Sequence, residues 1–147
     1  MDQGNIGLRS KLSALWATMM FLYVYADVLS LYRPGELDEI RDGMMGPLDV
    51  SQSTLVAASV VVIIPALMIF LSLILPSRIN RRTNIAAGVV FTLVNISNLL
   101  GETWVYYWLF GILEIVVTVL IVRYAWKVSE RELPTSSTIG STVPGHP

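Results

Sequence analysis

Residues 84–126 read NIAAGVVFTLVNISNLLGETWVYYWLFGILEIVVTVLIVRYAW. Two apolar runs, Asn84 to Leu100 and about Trp104 to Trp126, meet at the short turn Gly101-Glu102-Thr103. Crossing a hydrocarbon core of about 30 Å takes roughly 20 apolar residues at a rise of about 1.5 Å each, with about 17 to 25 as the usual range. Both runs qualify, the first at the short limit. A turn this brief makes them an antiparallel helical hairpin in direct contact.

Two further runs lie upstream: Leu12 to about Leu31, between Lys11 and Arg33, and Ser53 to Leu75, ended by Pro76. The chain of 147 residues is 54% hydrophobic and 14% charged, with a mean hydropathy of +0.62, too apolar for a soluble domain to bury. The expected fold is therefore an all-α integral membrane protein, an antiparallel bundle of four transmembrane helices (about 12–31, 53–75, 84–100 and 104–126). The first run is not expected to be a cleaved leader: it is longer than a signal h-region, carries Tyr23, Tyr25 and Asp27, and is followed by no small-x-small site.

Lys and Arg are enriched in cytoplasmic connections. Arg9 and Lys11 precede the first run, Arg78, Arg81 and Arg82 follow the second, and Arg123, Lys127 and Arg131 close the fourth. Only Arg33 and Arg41 fall on the opposite side, a division of eight against two. Residues 1–11 and 128–147 are thus expected to be cytoplasmic, in a plasma membrane. Trp104, Tyr106, Tyr107 and Trp108 mark an outer aromatic belt, and Tyr124 and Trp126 an inner one.

The connection Tyr32 to Gln52 holds Glu36, Asp38, Glu39, Asp42 and Asp49, the acidic surface of the molecule. Pro34, early acids and Leu37, Ile40 and Met44 at helical spacing predict a short extracytoplasmic amphipathic helix. Gly43, Gly46 and Pro47 break it, and Ser51 or Ser53 caps the second span. From about Pro134 the tail PTSSTIGSTVPGHP has the composition of a disordered segment. It holds His146, the one histidine, and the chain has no cysteine. No histidine or thiolate chemistry, no metal site and no cofactor is expected in the bundle, and a net charge of −1 without a basic patch argues against nucleic acid.

Ionisable groups in hydrocarbon are costly and turn inward. Gly88, Thr92, Asn95, Asn98 and Glu102 recur at four, three, three and four, one helical face. Tyr107, Gly111, Glu114 and Thr118 make a similar face on the fourth run, and Trp16, Met20, Tyr23, Asp27 and Ser30 on the first. By rise per residue, Asp27 and Asn98 lie about 5 to 8 Å below the outer interface and Glu114 about 14 to 15 Å down. The predicted site is an outward-facing polar cavity formed by Tyr23, Asp27, Asn95, Asn98, Glu102 and Glu114. Pro65 frees the carbonyl of Val61 at the depth of Glu114. Desolvation disfavours the charged form of a carboxyl there, so Glu114 is expected to be protonated and to donate to that carbonyl or to Asn95. The plain alternative is that Asn95, Asn98 and Thr92 are interhelical glue, at about 0.6 to 2 kcal/mol per hydrogen bond.

The stretches LSALWATMMFLYVYADVLSLYRPG (12–35), MGPLDVSQ (45–52), IIPALMIFLSLILP (63–76) and NISNLLGETWVYYWLFGILEIVVTVLIVRYAWK (95–127) resemble a family of small bacterial four-helix membrane proteins catalogued as a domain of unknown function. The resemblance implies a bacterial plasma membrane and the four-span fold, and brings no activity, cofactor or catalytic residue. Small multidrug-resistance exporters are similarly short, but their essential acid lies in the first span, whereas the deepest acid here is Glu114 in the fourth. The leading expectation is a non-enzymatic multi-pass protein whose cavity binds or transports a small ligand, lipid head group or proton. A structural or accessory subunit, with a membrane-protein partner or a second copy, is the alternative; an intramembrane enzyme using Asp27, Glu102 and Glu114 ranks third.

Overall fold

The computed structural model describes residues 3–127, and most of these are helical. The tail, with His146 and its expected disorder, lies outside the described residues. In chain order the elements are α1 (Gln3–Ser30), α2 (Glu36–Arg41), β1 (Met44–Met45), β2 (Leu48–Asp49), α3 (Gln52–Ile74), α4 (Ser77–Leu99) and α5 (Val105–Lys127). Three helices, Gly7–Ser30 within α1, Gln52–Ile74 and Val105–Lys127, are long and apolar enough to cross a membrane. This is the composition of a membrane-associated protein. α4 matches them in length but not in apolarity, because Arg78, Arg81, Arg82 and Asn80, Asn84, Asn95 and Asn98 interrupt it.

Two helices begin earlier than hydropathy places them. α1 starts at Gln3 and α4 at Ser77, so Arg78, Arg81 and Arg82 ride on helix instead of loop. Hydropathy measures where side chains are apolar, while the backbone hydrogen-bond ladder continues into polar sequence. Only Leu75 and Pro76 join α3 to α4, both extended (ψ 143 and 145), since proline keeps its predecessor out of the α region. Arg9 ties α1 to this joint, donating to the Leu73 carbonyl (3.3 Å) and to Ser77 Oγ (3.1 Å).

α1 packs on α3 and α5, α5 packs along α4, and α3 meets α4 only sparsely. Leu12, Trp16 and Met19 of α1, Met68 of α3, Phe91 of α4 and Val117, Ile121 and Ala125 of α5 form one buried cluster in the half nearest the α3–α4 joint. Trp16 meets Phe91 edge-on, centroids 5.9 Å apart. Also in this half a buried polar chain links three helices: Trp16 Nε1 donates to Asn84 Oδ1 (2.7 Å), Ser72 Oγ to the same oxygen (3.1 Å), Asn84 Nδ2 to Asn80 Oδ1 (2.7 Å) and Asn80 Nδ2 to the Ser72 carbonyl (2.9 Å).

The connection from α1 to α3 is richer than predicted. A short helix is present, but it ends at Arg41 and buries none of its residues, and Met44 belongs to a strand instead. Pro34 lies just outside it, ahead of Gly35 (φ 90) at the N-cap. β1 and β2 pair antiparallel, Met45 opposite Leu48, around Gly46 at φ 57 and Pro47. A positive φ followed by the fixed negative φ of proline is the sign pattern of a II′ hairpin turn. Ser51 Oγ accepts from Thr54 N and caps α3, which resolves the choice between Ser51 and Ser53.

Candidate functional site

Away from the joint, α3 and α4 diverge and the four long helices line a cavity of about 270 Å³. α1 supplies Tyr23, Ala26 and Asp27; α5 supplies Tyr107 and Glu114. α4 supplies Val94 and Asn98, and α3 closes the far side with Ala58, Val61 and Val62. The cavity has an acidic, phenolic side and an aliphatic side. The spacing of four from Tyr23 to Asp27, and of seven from Tyr107 to Glu114, turns each pair to one face of its helix.

Glu114 is the deepest acidic group, 5% exposed. Its side chain makes no hydrogen bond and no ion pair among the described residues. This corrects the expectation that it donates to Asn95 or to the Val61 carbonyl. Asn95 Oδ1 is taken by the Tyr23 hydroxyl, and the Asn95 Nδ2 finds no partner among the described residues. Only the backbone carbonyl of Glu114 is bound, by Thr118 Oγ1 (3.0 Å), which in turn accepts from Thr92 Oγ1 (2.9 Å). Thr92 is thus the interhelical glue of the plain alternative.

The six predicted site residues divide. Tyr23, Asp27, Asn98 and Glu114 share the cavity wall, and Asn95, fully buried, stands behind Tyr23 and fixes its ring. Glu102 is not in the wall. It pairs with Arg33, Nη2 to Oε2 3.0 Å, because the turn after α4 and the end of α1 meet at the loop end. Arg33 Nε also donates to the Tyr106 hydroxyl (2.6 Å), and its guanidinium lies 5.6, 5.2 and 5.1 Å from the rings of Trp104, Tyr106 and Tyr107. Glu102 Oε1 accepts from Thr103 N (2.8 Å) and Trp104 N (2.9 Å) just ahead of α5. Burial alone would raise the Glu102 carboxyl, but the Trp104 and Thr103 amides and the Arg33 guanidinium outweigh it and hold it below its ordinary value.

Sequence reasoning missed Tyr107 and Arg33. Tyr107 stands both in the outer aromatic belt and on the helical face of Glu114, and the belt alone left it out of the predicted site. No local signal pairs Arg33 with Glu102. A larger hollow, about 580 Å³, lies along α4 and α5 between Val89, Leu93, Val119 and Val122, with Arg123 and Lys127 at its end, and its apolar stretch suits the acyl chains a membrane helix meets anyway.

The nearest precedents add the family but no chemistry. No curated protein and no solved structure matches the chain. A family model described as a family of unknown function (DUF6326) matches residues 5–135, which takes in the four long helices apart from the first two residues of α1, and the chain belongs to that family.

Proposed function

We propose that the protein is a non-enzymatic, four-span protein of a bacterial-type plasma membrane, with both termini cytoplasmic, that binds a small ligand in the cavity closed by Glu114. α4 is the fourth span in this reading. Its asparagines turn inward, Asn80, Asn84 and Asn95 being fully buried, while Val89, Val90, Leu93 and Ile96 remain exposed on the face that lipid would cover. The division of basic residues supports the orientation. α2 then lies on the extracytoplasmic side.

The observation that carries the ligand reading is Glu114 itself. A carboxyl on a buried residue, facing a cavity and bonded to nothing among the described residues, is left for what enters the cavity to satisfy. The rival reading, an accessory subunit, draws on α2, which exposes Leu37 and Ile40 among acidic residues and buries none of its own. Native mass spectrometry of protein released from nanodiscs is expected to show a small adduct that Ala58→Trp, which fills the cavity, abolishes. Recovery of a stoichiometric protein partner, unaffected by Ala58→Trp and by Glu114→Gln and with no small adduct, refutes the ligand reading. Because the chain has no cysteine, single cysteines placed at Asp42 and at Arg82 report the topology cleanly. Labelling of Asp42→Cys but not Arg82→Cys from outside intact cells is the expected pattern.

A further inference from the structure

We infer that the cavity takes a small monovalent organic cation, its charge held by Glu114 and Asp27 and its apolar body set against α3. This rests on the cavity being a ligand site, and it specifies the chemistry of the ligand.

The titratable groups facing the cavity are Tyr23 and Asp27 from α1 and Tyr107 and Glu114 from α5; α3 and α4 line it with Ala58, Val61, Val62, Val94 and Asn98 and add none. Two acids therefore face the cavity, and no lysine, arginine or histidine does. Neither acid has an ion-pair partner among the described residues, whose salt bridges are Arg33 with Glu102 and Arg41 with Asp38. Arg33, the base beside the cavity mouth, is already held by Glu102 and the Tyr106 hydroxyl. Ionising either acid gives the site a negative charge that no base in its lining matches, which favours a cation and disfavours an anion.

Burial makes this specific. Glu114 is more than nine-tenths buried, lines the cavity and has no donor from the protein. A bare carboxylate there lacks both a counter-charge and a hydrogen bond, and an ammonium group supplies both at once. The rings of Tyr23 and Tyr107 add faces to which a cation is attracted, as Tyr107 already accepts the Arg33 guanidinium at 5.1 Å.

The opposite wall argues against a divalent metal ion. No group of three or more His, Cys, Asp or Glu among the described residues is placed to hold a metal ion, and hard divalent cations take about six to eight oxygens. Ala58, Val61, Val62 and Val94 offer no oxygen side chain, but they do offer an apolar body a surface to lie on. At about 270 Å³ the cavity falls just under the roughly 300 to 1,000 Å³ of drug-sized pockets, so the ligand is small.

The test is calorimetry on the full-length protein in nanodiscs, corrected against empty nanodiscs, with three probes on one frame: 2-phenylethylammonium, 2-phenylethanol and 3-phenylpropionate. The ammonium is expected to bind about tenfold or more tighter than the alcohol, and the carboxylate weakest, since a charge-assisted bond is worth at least that factor. Glu114→Gln and, as an exposed position whose replacement spares folding, Asp27→Asn are each expected to weaken the ammonium by about tenfold or more. If the alcohol binds as tightly as the ammonium and Ala58→Trp abolishes both, the cation inference is overturned and the ligand site stands. If no probe binds in a way that Ala58→Trp and Asp27→Asn affect, both are overturned.

Discussion

Asn84 holds α1, α3 and α4 together at the joint end, and its removal is the most informative perturbation of the fold. The Asn84 side chain accepts from Trp16 Nε1 of α1 and Ser72 Oγ of α3, and all three residues are fully buried. Asn84→Ala removes both interhelical bonds and leaves the indole N–H without an acceptor. At about 0.6 to 1.7 kcal/mol per interhelical bond inside a membrane, the two bonds contribute roughly 1 to 3 kcal/mol. The stranded Trp16 donor costs about 1 to 3 kcal/mol where no water can reach it, in part the same energy counted again, so an overall loss of about 2 to 4 kcal/mol is expected. Reversible unfolding in mixed micelles or by steric trapping reads this directly. A double-mutant cycle with Trp16→Phe isolates the first bond, with a coupling of about 1 kcal/mol expected. Additivity of Trp16→Phe and Asn84→Ala, or a total loss below about 0.5 kcal/mol, would show that the chain of buried amides is incidental to stability.

Gly111 faces Leu99 so closely that an added Cβ would lie 2.5 Å from Leu99 Cδ2 and 2.9 Å from its Cγ. Gly111→Ala is therefore expected to lose about 1 to 2 kcal/mol by unfolding, despite the gain of about 1 kcal/mol in helix propensity; a stabilised variant contradicts the tight α4–α5 contact. Tyr23→Phe strips Asn95 of its one side-chain partner and should cost about 1 kcal/mol in stability, measured in the same assay, and more than Tyr25→Phe. Because Glu102 is held below its ordinary pKa, its contribution is fully present above the unfolded carboxylate's value and is lost as pH falls through the lower, folded one. Unfolding followed from neutral pH down to about pH 3 should show an acid-side loss of at most about 1 kcal/mol that Glu102→Gln removes. Glu114→Leu, which takes no hydrogen bond from the protein, should unfold no more easily than Glu114→Gln while abolishing any ligand effect; a large stability gap between the two requires a partner for Glu114 within the protein.

The two halves of the molecule divide its labour. Around Trp16, Phe91 and Ile121 the helices meet through packed apolar side chains and a satisfied polar chain. Toward the loop end α3 meets α4 only sparsely, and the cavity there is lined by Asp27 and Glu114, whose carboxyls have no ion-pair partner among the described residues. Packing rigid on one side positions Tyr23, Asp27 and Glu114 on the other, since α1 and α5 run through both.

Much of this was legible in one dimension. Long apolar runs, a hairpin turn at Gly101 and a four-three spacing of polar residues are local properties, and they marked the helices and four of the cavity residues, Tyr23, Asp27, Asn98 and Glu114. The stripe Gly88, Thr92, Asn95, Asn98 even extends backward by steps of four to Asn84, the first residue of the apolar run, and to Asn80 beyond it, neither of which the predicted stripe includes. What spacing cannot carry is which face meets which across helices distant in sequence. Glu102 shares the helical stripe of Asn98 yet pairs with Arg33, because α4 ends at Leu99 and Gly101 at φ 87 turns the chain away. Asn95 lies within reach of both Tyr23 and Glu114 by depth, and only the packing of α1 on α5 gives its oxygen to the tyrosine. Sequence by itself thus determined that the chain is helical, apolar enough for a membrane and polar along its inner faces, since propensity and hydrophobicity act residue by residue. Tertiary structure alone decided that α3 parts from α4 and that Glu114 is left facing the gap without a partner, because that outcome depends on how four helices share a limited number of donors.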